Sequence, residues 1–156
     1  MTTALTPGRL LFAAVALLVF VVDRLTKVAV SANVPVGTER QVLPFVWITN
    51  THNAGAAFGF EQEGALLALF LVGSIVVSIG LVYYVARTPV SLAAGALLGL
   101  IMGGTIGNGY ERLVNHSVTD FIAVHFWPVF NVADSAISVG VALLLLSYLV
   151  RSQRKD

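Results

Sequence analysis

The sequence predicts a mainly α membrane protein, a bundle of four transmembrane helices with a small extracytoplasmic β-sheet and loop region. Composition is the first reason: of 156 residues, 57% are hydrophobic and 11% are charged, whereas an average soluble domain has about 25% charged residues. Segment length is the second, because four stretches reach the roughly 20 mostly apolar residues that a helix needs to cross a bilayer. The length predicts one domain, 1–156.

The four predicted spans are separated by polar segments or by proline and glycine. They cover about 10–30, 64–86, 91–109 and 131–150. The second span stops at Arg87, so its connection to the third is short. A cleaved signal peptide is an alternative for the first span. The charged residues Asp23, Arg24 and Lys27 argue against it, because they separate the apolar run from any plausible cleavage site.

Two longer segments, about 33–63 and 110–130, join the spans on one side of the membrane. Gln41 to Thr51 and Val114 to Trp127 are rich in β-branched and aromatic residues, which predicts extended structure in both loops. The opposite side, with the termini and the short connection, has slightly more basic residues: Arg9, Arg87, Arg151, Arg154 and Lys155. This bias predicts cytoplasmic termini and extracytoplasmic loops.

Small residues recur along one face of the third span. They are spaced four apart: Ser91, Gly95, Gly99, Gly103 and Gly107. Such a face lets another helix approach closely, so the spacing predicts a helix-packing surface.

Charged and polar residues beside membrane helices are costly to keep, and each is therefore a functional candidate. If helical, Asp23 and Lys27 can form an ion pair; the alternative is that Lys27 extends to the interface. Arg112 could pair with the neighbouring Glu111 or hold a loop through fork-like hydrogen bonds. Asn53 offers both a donor and an acceptor.

Two further acids, Asp120 in the second loop and Asp134 at the start of the fourth span, emerge on the same side of the membrane. Asp134 has a structural interpretation, since Asn131 and Asp134 have the spacing of a helix capping box. If the two carboxyls meet, one keeps its proton and the pair can hydrolyse an amide. The chain has no cysteine, and its histidines lack the spacing of common metal motifs.

Five short motifs in order resemble the signal peptidase II family, the bacterial lipoprotein signal peptidases. They are Asp23 to Lys27 (D-x-x-[ST]-K), Asn53 to Phe58 (N-x-G-A-A-F), Gly103 to Arg112 (GG-x-x-GN-x-x-DR), Val118 to Phe121 (V-x-D-F) and Phe130 to Ser135 (F-N-x-A-D-S). One position departs from the pattern: Glu111 stands where the family has Asp.

The resemblance implies an aspartic endopeptidase with Asp120 and Asp134 as the catalytic pair and no metal or cofactor. The other implied substrate-binding or site-shaping residues are Asp23, Lys27, Asn53, Gly55, Gly104, Asn108, Arg112, Asn131 and Ala133. The implied substrate is a prolipoprotein with a diacylglyceryl-modified cysteine, cut just before that cysteine.

The setting implied by the resemblance is the bacterial inner membrane, where a multi-pass protein contacts membrane lipids and its first loop forms a small sheet that cradles the substrate. We also expect a monomer and no nucleic-acid partner. Among other classes, a small membrane transporter or channel subunit would also use intramembrane acids. A transporter, however, usually places them near the bilayer midplane, whereas these acids cluster at one level of helix ends.

Overall fold

The computed structural model describes residues 6–53 and 63–153. In that part of the chain the elements follow in the order α1 (Pro7–Asn33), β1 (Glu39–Leu43), β2 (Val46–Asn53), α2 (Glu63–Arg87), α3 (Leu92–Asn115), β3 (Val118–Ala123) and α4 (Val132–Gln153). The prediction of a mainly helical protein with a small sheet is confirmed. Gly55 lies outside the described residues.

Within residues 6–53 and 63–153, three helices are long and apolar enough to cross a membrane. These stretches are Gly64–Arg87, Leu92–Asn115 and Val132–Val150. Helix α1 is longer, with 27 residues, but its second half contains Asp23, Arg24 and Lys27. Its length would allow a span, and its charges need partners if it is to be one.

Helix α3 continues beyond the end predicted near Gly109. It runs through Asn115, and His116 ends it in the left-handed conformation with φ 56°. The polar residues Asn108 and Glu111 do not end the helix, because both side chains are buried and have polar partners from other elements. Part of the predicted loop 110–130 is therefore helical.

The small-residue face of α3 packs against α1, as predicted. Gly95 lies against the backbone of Gly8. A Cβ placed on Gly99 would lie 2.8 Å from the carbonyl oxygen of Phe12 and 2.9 Å from the Cβ of Val15. Helices α1 and α3 therefore approach at a distance that only residues without a side chain permit.

The start of α1 lies beside the short connection between α2 and α3. The Arg9 side chain donates from Nε to the carbonyl of Val85 at 2.9 Å and from Nη2 to that of Ala86 at 2.8 Å. These are among the last carbonyls of α2, which have no acceptor role within their own helix. Next to them lies an apolar core of Phe12, Val85, Leu98 and Met102.

The sheet is antiparallel, in the order β1-β2-β3. Strand β3 is buried along most of its length, with Val118, Asp120 and Phe121 all at most 5% exposed. It contacts both α1 and α3, and Ile122 pairs with Phe130 just before α4. This arrangement brings the middle of β3 next to the first turn of α4.

We expect Gly99→Ala to lower the stability of the protein by about 1–3 kcal/mol, because the added methyl group would force apart two helix backbones. Gly80→Ala in α2 is the matched control, since a Cβ there meets no atom within 4 Å. The control should be neutral or slightly stabilising. Thermal unfolding in detergent measures both, and equal midpoints for the two variants would contradict the packing argument.

Candidate active site

Asp120 lies in the middle of β3 and is 4% exposed. Its Oδ1 accepts a hydrogen bond from Asn131 Nδ2 at 2.7 Å, and its Oδ2 accepts one from Asn53 Nδ2 at 3.0 Å. Burial raises the pKa of Asp120 to about 6; the charge of Asp134 adds to this rise, and the two amide donors oppose it. The carboxyl therefore keeps its proton up to about pH 6, well above the range of an ordinary aspartic acid.

Asp134 lies in the first turn of α4 and forms the predicted capping box. Its backbone N–H donates to Asn131 Oδ1 at 2.9 Å, and the backbone N–H of Asn131 donates to Asp134 Oδ2 at 3.2 Å. The other carboxyl oxygen, Oδ1, accepts from Asn108 Nδ2 at 2.7 Å. Capping does not exclude a role in chemistry, because the same carboxyl also faces the polar centre of the protein.

Two asparagines link these acids. Asn131 is 0% exposed, and its Nδ2 donates to Asp120 and, at 3.1 Å, to Asn108 Oδ1. Asn108 in turn donates to Asp134. The structure thus brings Asp120 and Asp134 into one hydrogen-bonded group, although they come from a strand and a helix.

Beneath the asparagines lies a buried cation. The Lys27 ammonium is 1% exposed, and its three N–H groups face three oxygens. These are Asn108 Oδ1 at 2.8 Å, Asp23 Oδ2 at 2.9 Å and Glu111 Oε2 at 3.1 Å. Of the two alternatives for Lys27, the ion pair with Asp23 is therefore present, and extension of Lys27 to the interface is wrong.

Asp23 also reaches α4. Its Oδ1 accepts from the backbone N–H of Ala133 at 2.9 Å, a group that has no partner within its own helix. Gly107 makes room for this contact, since a Cβ there would lie 2.7 Å from Asp23 Oδ2. Gly104 likewise lies against the Ala133 carbonyl. These residues position the start of α4.

Glu111, at the position that departs from the family pattern, joins α3 to α1 and β3. Its carboxylate accepts from the Thr119 backbone N–H at 2.9 Å and from Thr119 Oγ1 at 3.2 Å. It also pairs with Arg24 Nη1 at 3.0 Å. The pairing with Arg112, one of the two alternatives from the sequence, is not among these contacts. Thr119 is the residue directly before Asp120.

Sequence reasoning missed Arg24 and Thr119 as parts of this group. Each stands beside a predicted site residue, Asp23 or Asp120, which is the one signal that could have indicated them. Nothing in the sequence pattern shows that both contact Glu111.

Arg112 faces a cavity of about 480 Å³ between α2, α3 and α4. Its guanidinium lies over the Phe70 ring, 5.0 Å from the centroid. Its Nε is buried and has no hydrogen-bond partner among the described residues. Asn108 and Asp134 border the same cavity, so Arg112 is a donor close to the acids.

A second cavity of about 460 Å³ lies on the other side of Asp134, under the loop between β3 and α4. Its wall is mainly apolar and includes Phe126, Trp127 and Phe130, together with Ser135. Asp134 is thus reachable from two cavities, whereas Asp120 is buried behind the amides. The pair is asymmetric in its access to water and ligands.

The chain matches proteins of one family over most of its length. The family described as signal peptidase (SPase) II matches residues 15–150. A lipoprotein signal peptidase of Bacillus subtilis is 39% identical, with 94% of this chain and 97% of the relative covered. A lipoprotein signal peptidase of Teredinibacter turnerae is 40% identical, with 84% of this chain and 82% of the relative covered.

Solved structures agree with this match. A bacterial membrane enzyme solved by the in meso method superposes with a TM-score of 0.84 at 28% identity, covering 93% of this chain and 91% of the other. A second bacterial membrane enzyme solved by the in meso method superposes with a TM-score of 0.80 at 30% identity, covering 88% of this chain and 92% of the other. Together with the sequence match, these similarities establish that the chain belongs to the signal peptidase II family of bacterial membrane proteases.

Proposed function

We propose that this chain is an aspartic endopeptidase that removes the signal peptide from diacylglyceryl-modified prolipoproteins, cutting just before the modified cysteine, with Asp120 and Asp134 as its catalytic pair. The relatives named lipoprotein signal peptidase support the substrate class. The observation that carries the catalytic assignment is the hydrogen-bonded group in which Asn131 contacts both carboxyls.

The environments of the two acids give them different roles. Asp134 accepts from Asn108 and lies in the first turn of α4, where the helix dipole favours a carboxylate. It is the general base. Asp120, whose pKa burial raises to about 6, is the acid. Two carboxyls in different environments divide the chemistry in this way in other hydrolases.

The reaction then needs only water and the two acids. Asp134 takes a proton from water, whose oxygen attacks the peptide carbonyl carbon, while Asp120 gives its proton to the carbonyl oxygen. When the tetrahedral intermediate collapses, Asp134 passes its proton to the leaving amine of the cysteine and Asp120 recovers a proton from the hydroxyl. The C–N bond breaks and both carboxyls return to their starting states.

Arg112 is placed to position the substrate. Its Nε is a buried donor beside Asp134, and a peptide carbonyl is the acceptor that the reaction would bring there. The lipid anchor of the substrate keeps the scissile bond close to the membrane surface, which lowers the entropy cost of this encounter.

We propose four membrane spans, with α1 as the fourth, in the bacterial inner membrane. The cost of charges in α1 is offset because Asp23 and Lys27 pair with each other and with neighbours from α3 and α4. The termini would be cytoplasmic and the sheet extracytoplasmic, and the protein would act as a monomer in contact with membrane lipids.

Replacing either acid by its amide should abolish cleavage. We expect Asp120→Asn and Asp134→Asn each to lower kcat by about 10³-fold or more, since neither amide can transfer a proton at neutral pH. A gel-shift assay in detergent with a diacylglyceryl-modified prolipoprotein measures this, beside thermal unfolding to show that each variant is folded. Near-normal cleavage by either folded variant would remove that residue from the catalytic pair.

The raised pKa of Asp120 predicts a pH profile. Asp120 is protonated below about pH 6 and ionised above it, so kcat/KM, which reports the free enzyme, should fall as pH rises through this value. Bound substrate excludes water and favours the neutral acid, so the fall in kcat should occur at higher pH. A kcat/KM that stays constant from about pH 5 to about pH 10 would contradict the assignment of an acid role.

Glu111 should matter for the position of β3 and for stability. We expect Glu111→Gln to lower the stability by about 3–5 kcal/mol, because it removes one of the two carboxylates that pair with the buried Lys27 cation. Glu111→Asp keeps the charge and should lose less. Thermal unfolding of the two variants gives the comparison, and a Gln variant as stable as the wild type would show that the ion pairs with Arg24 and Lys27 are not formed.

A further inference from the structure

The loop between β3 and α4 turns sharply at His125. This residue has φ 60°, and the N–H of Phe126 donates to the carbonyl of Val124 at 2.8 Å across it. A side-chain-bearing residue in the left-handed region persists when its surroundings hold it there. The contacts of the His125 ring hold this turn in place.

Two residues of the β1–β2 hairpin hold this ring. It stacks on Trp47, with ring centroids 3.8 Å apart and planes inclined by 27°. Its Nε2 lies 3.0 Å from Glu39 Oε2. We call Glu39, Trp47 and His125 the loop clamp. All three side chains are at least partly exposed, so core packing does not account for the arrangement.

The residues directly after His125 form a wall of the cavity beside Asp134. Phe126 is 82% exposed and Trp127 is 66% exposed, and both border the cavity of about 460 Å³. Because the same cavity reaches Asp134, a ligand in it would contact both of these large apolar side chains. Because the turn at His125 sets the direction of the next two residues, the clamp sets the position of this wall.

The lining indicates which part of a substrate the cavity takes. Phe130 and Val139 extend the apolar wall, while Ser135 and Ser138 add hydroxyl groups. Hydroxyl groups can form hydrogen bonds with the N–H and C=O groups of a peptide backbone. An acyl chain has no such groups. The combination suits a peptide segment with an apolar side chain.

We propose that the loop clamp positions the Phe126–Trp127 wall and thereby sets the preference for an apolar side chain within a few residues of the scissile bond. The clamp residues are positioning residues and do not touch the reacting atoms. This inference rests on the proposed peptidase function, and it assigns to Glu39, Trp47 and His125 a part in selecting the signal-peptide sequence.

The test compares two clamp variants with wild type. His125→Gly removes the ring and keeps the backbone free to adopt φ 60°, and Trp47→Leu removes the stacking partner from the other side. His116→Gly is the matched control, since His116 is also an exposed histidine with positive φ, 56°, at the end of α3. Trp47→Phe, which keeps an aromatic ring, is the conservative variant.

Two substrate series separate the possible occupants of the cavity. In the first, the diacylglyceryl group is constant and each residue before the cysteine is changed in turn between Leu and Ala. In the second, the peptide is constant and the acyl chains are shortened. We expect wild type to prefer Leu over Ala at one position by about tenfold in kcat/KM.

In both clamp variants this preference should shrink to about twofold through a higher KM for the Leu substrate, with kcat within about twofold of wild type. His116→Gly should keep the wild-type preference, and Trp47→Phe should restore most of it. The dependence on acyl length should not change.

Three results would overturn the inference: an unchanged preference in the clamp variants, a loss shared equally by all substrates, or a loss that depends on acyl length. If His125→Gly does not fold, judged by its thermal unfolding, Trp47→Leu and Trp47→Phe decide alone. If wild type cleaves none of the lipidated substrates, it is the proposed function that fails. Cleavage by wild type with no clamp effect refutes the clamp alone.

Discussion

The arrangement of the whole site depends on one buried ammonium group, that of Lys27. A buried charge is tolerated only when its partners are close and its hydrogen bonds are complete, and here Asp23, Glu111 and Asn108 supply three oxygens within 3.1 Å. The three partners lead to two elements, α4 and β3. Asp23 binds the backbone of α4, Glu111 binds that of β3, and Asn108 binds Asp134. Satisfying one cation therefore fixes both segments that present the acids.

The buried amides explain how such a charged cluster can lie beside a pair of acids without dictating their charge. Asn108 and Asn131 are neutral, and each offers a donor and an acceptor. They therefore connect Lys27 to Asp120 and Asp134 through hydrogen bonds without adding charge. Lys27 still influences Asp120 through space, but burial outweighs it and raises the pKa of that carboxyl to about 6. A charged side chain in place of either amide would change the protonation of the pair.

Local spacing in the sequence was enough to predict the local features. The four-residue glycine spacing predicted a helix-packing face on α3. The i,i+4 spacing gave the Asp23–Lys27 pair as one of two alternatives, and the three-residue spacing gave the capping box as one interpretation of Asp134. Contacts that join distant segments could not be predicted in this way. The partners of Glu111 come from α1 and β3, and they also explain why α3 runs on to Asn115. The motif resemblance to signal peptidase II, confirmed by the family match, indicated several residues of the group, but neither their contacts nor the parts of Arg24 and Thr119.

The asymmetry of the two acids follows from the elements that hold them. Strand β3 is covered on both faces, so Asp120 is shielded from water and its neutral form is favoured. The first turn of α4 borders two cavities, so Asp134 is accessible to water and ligands from both of them. A buried strand and a helix start open to cavities thus give the two carboxyls different environments, as the proposed division into an acid and a base requires. The fold creates this difference between the environments of Asp120 and Asp134 without any substrate present, so the proposed site is preorganised.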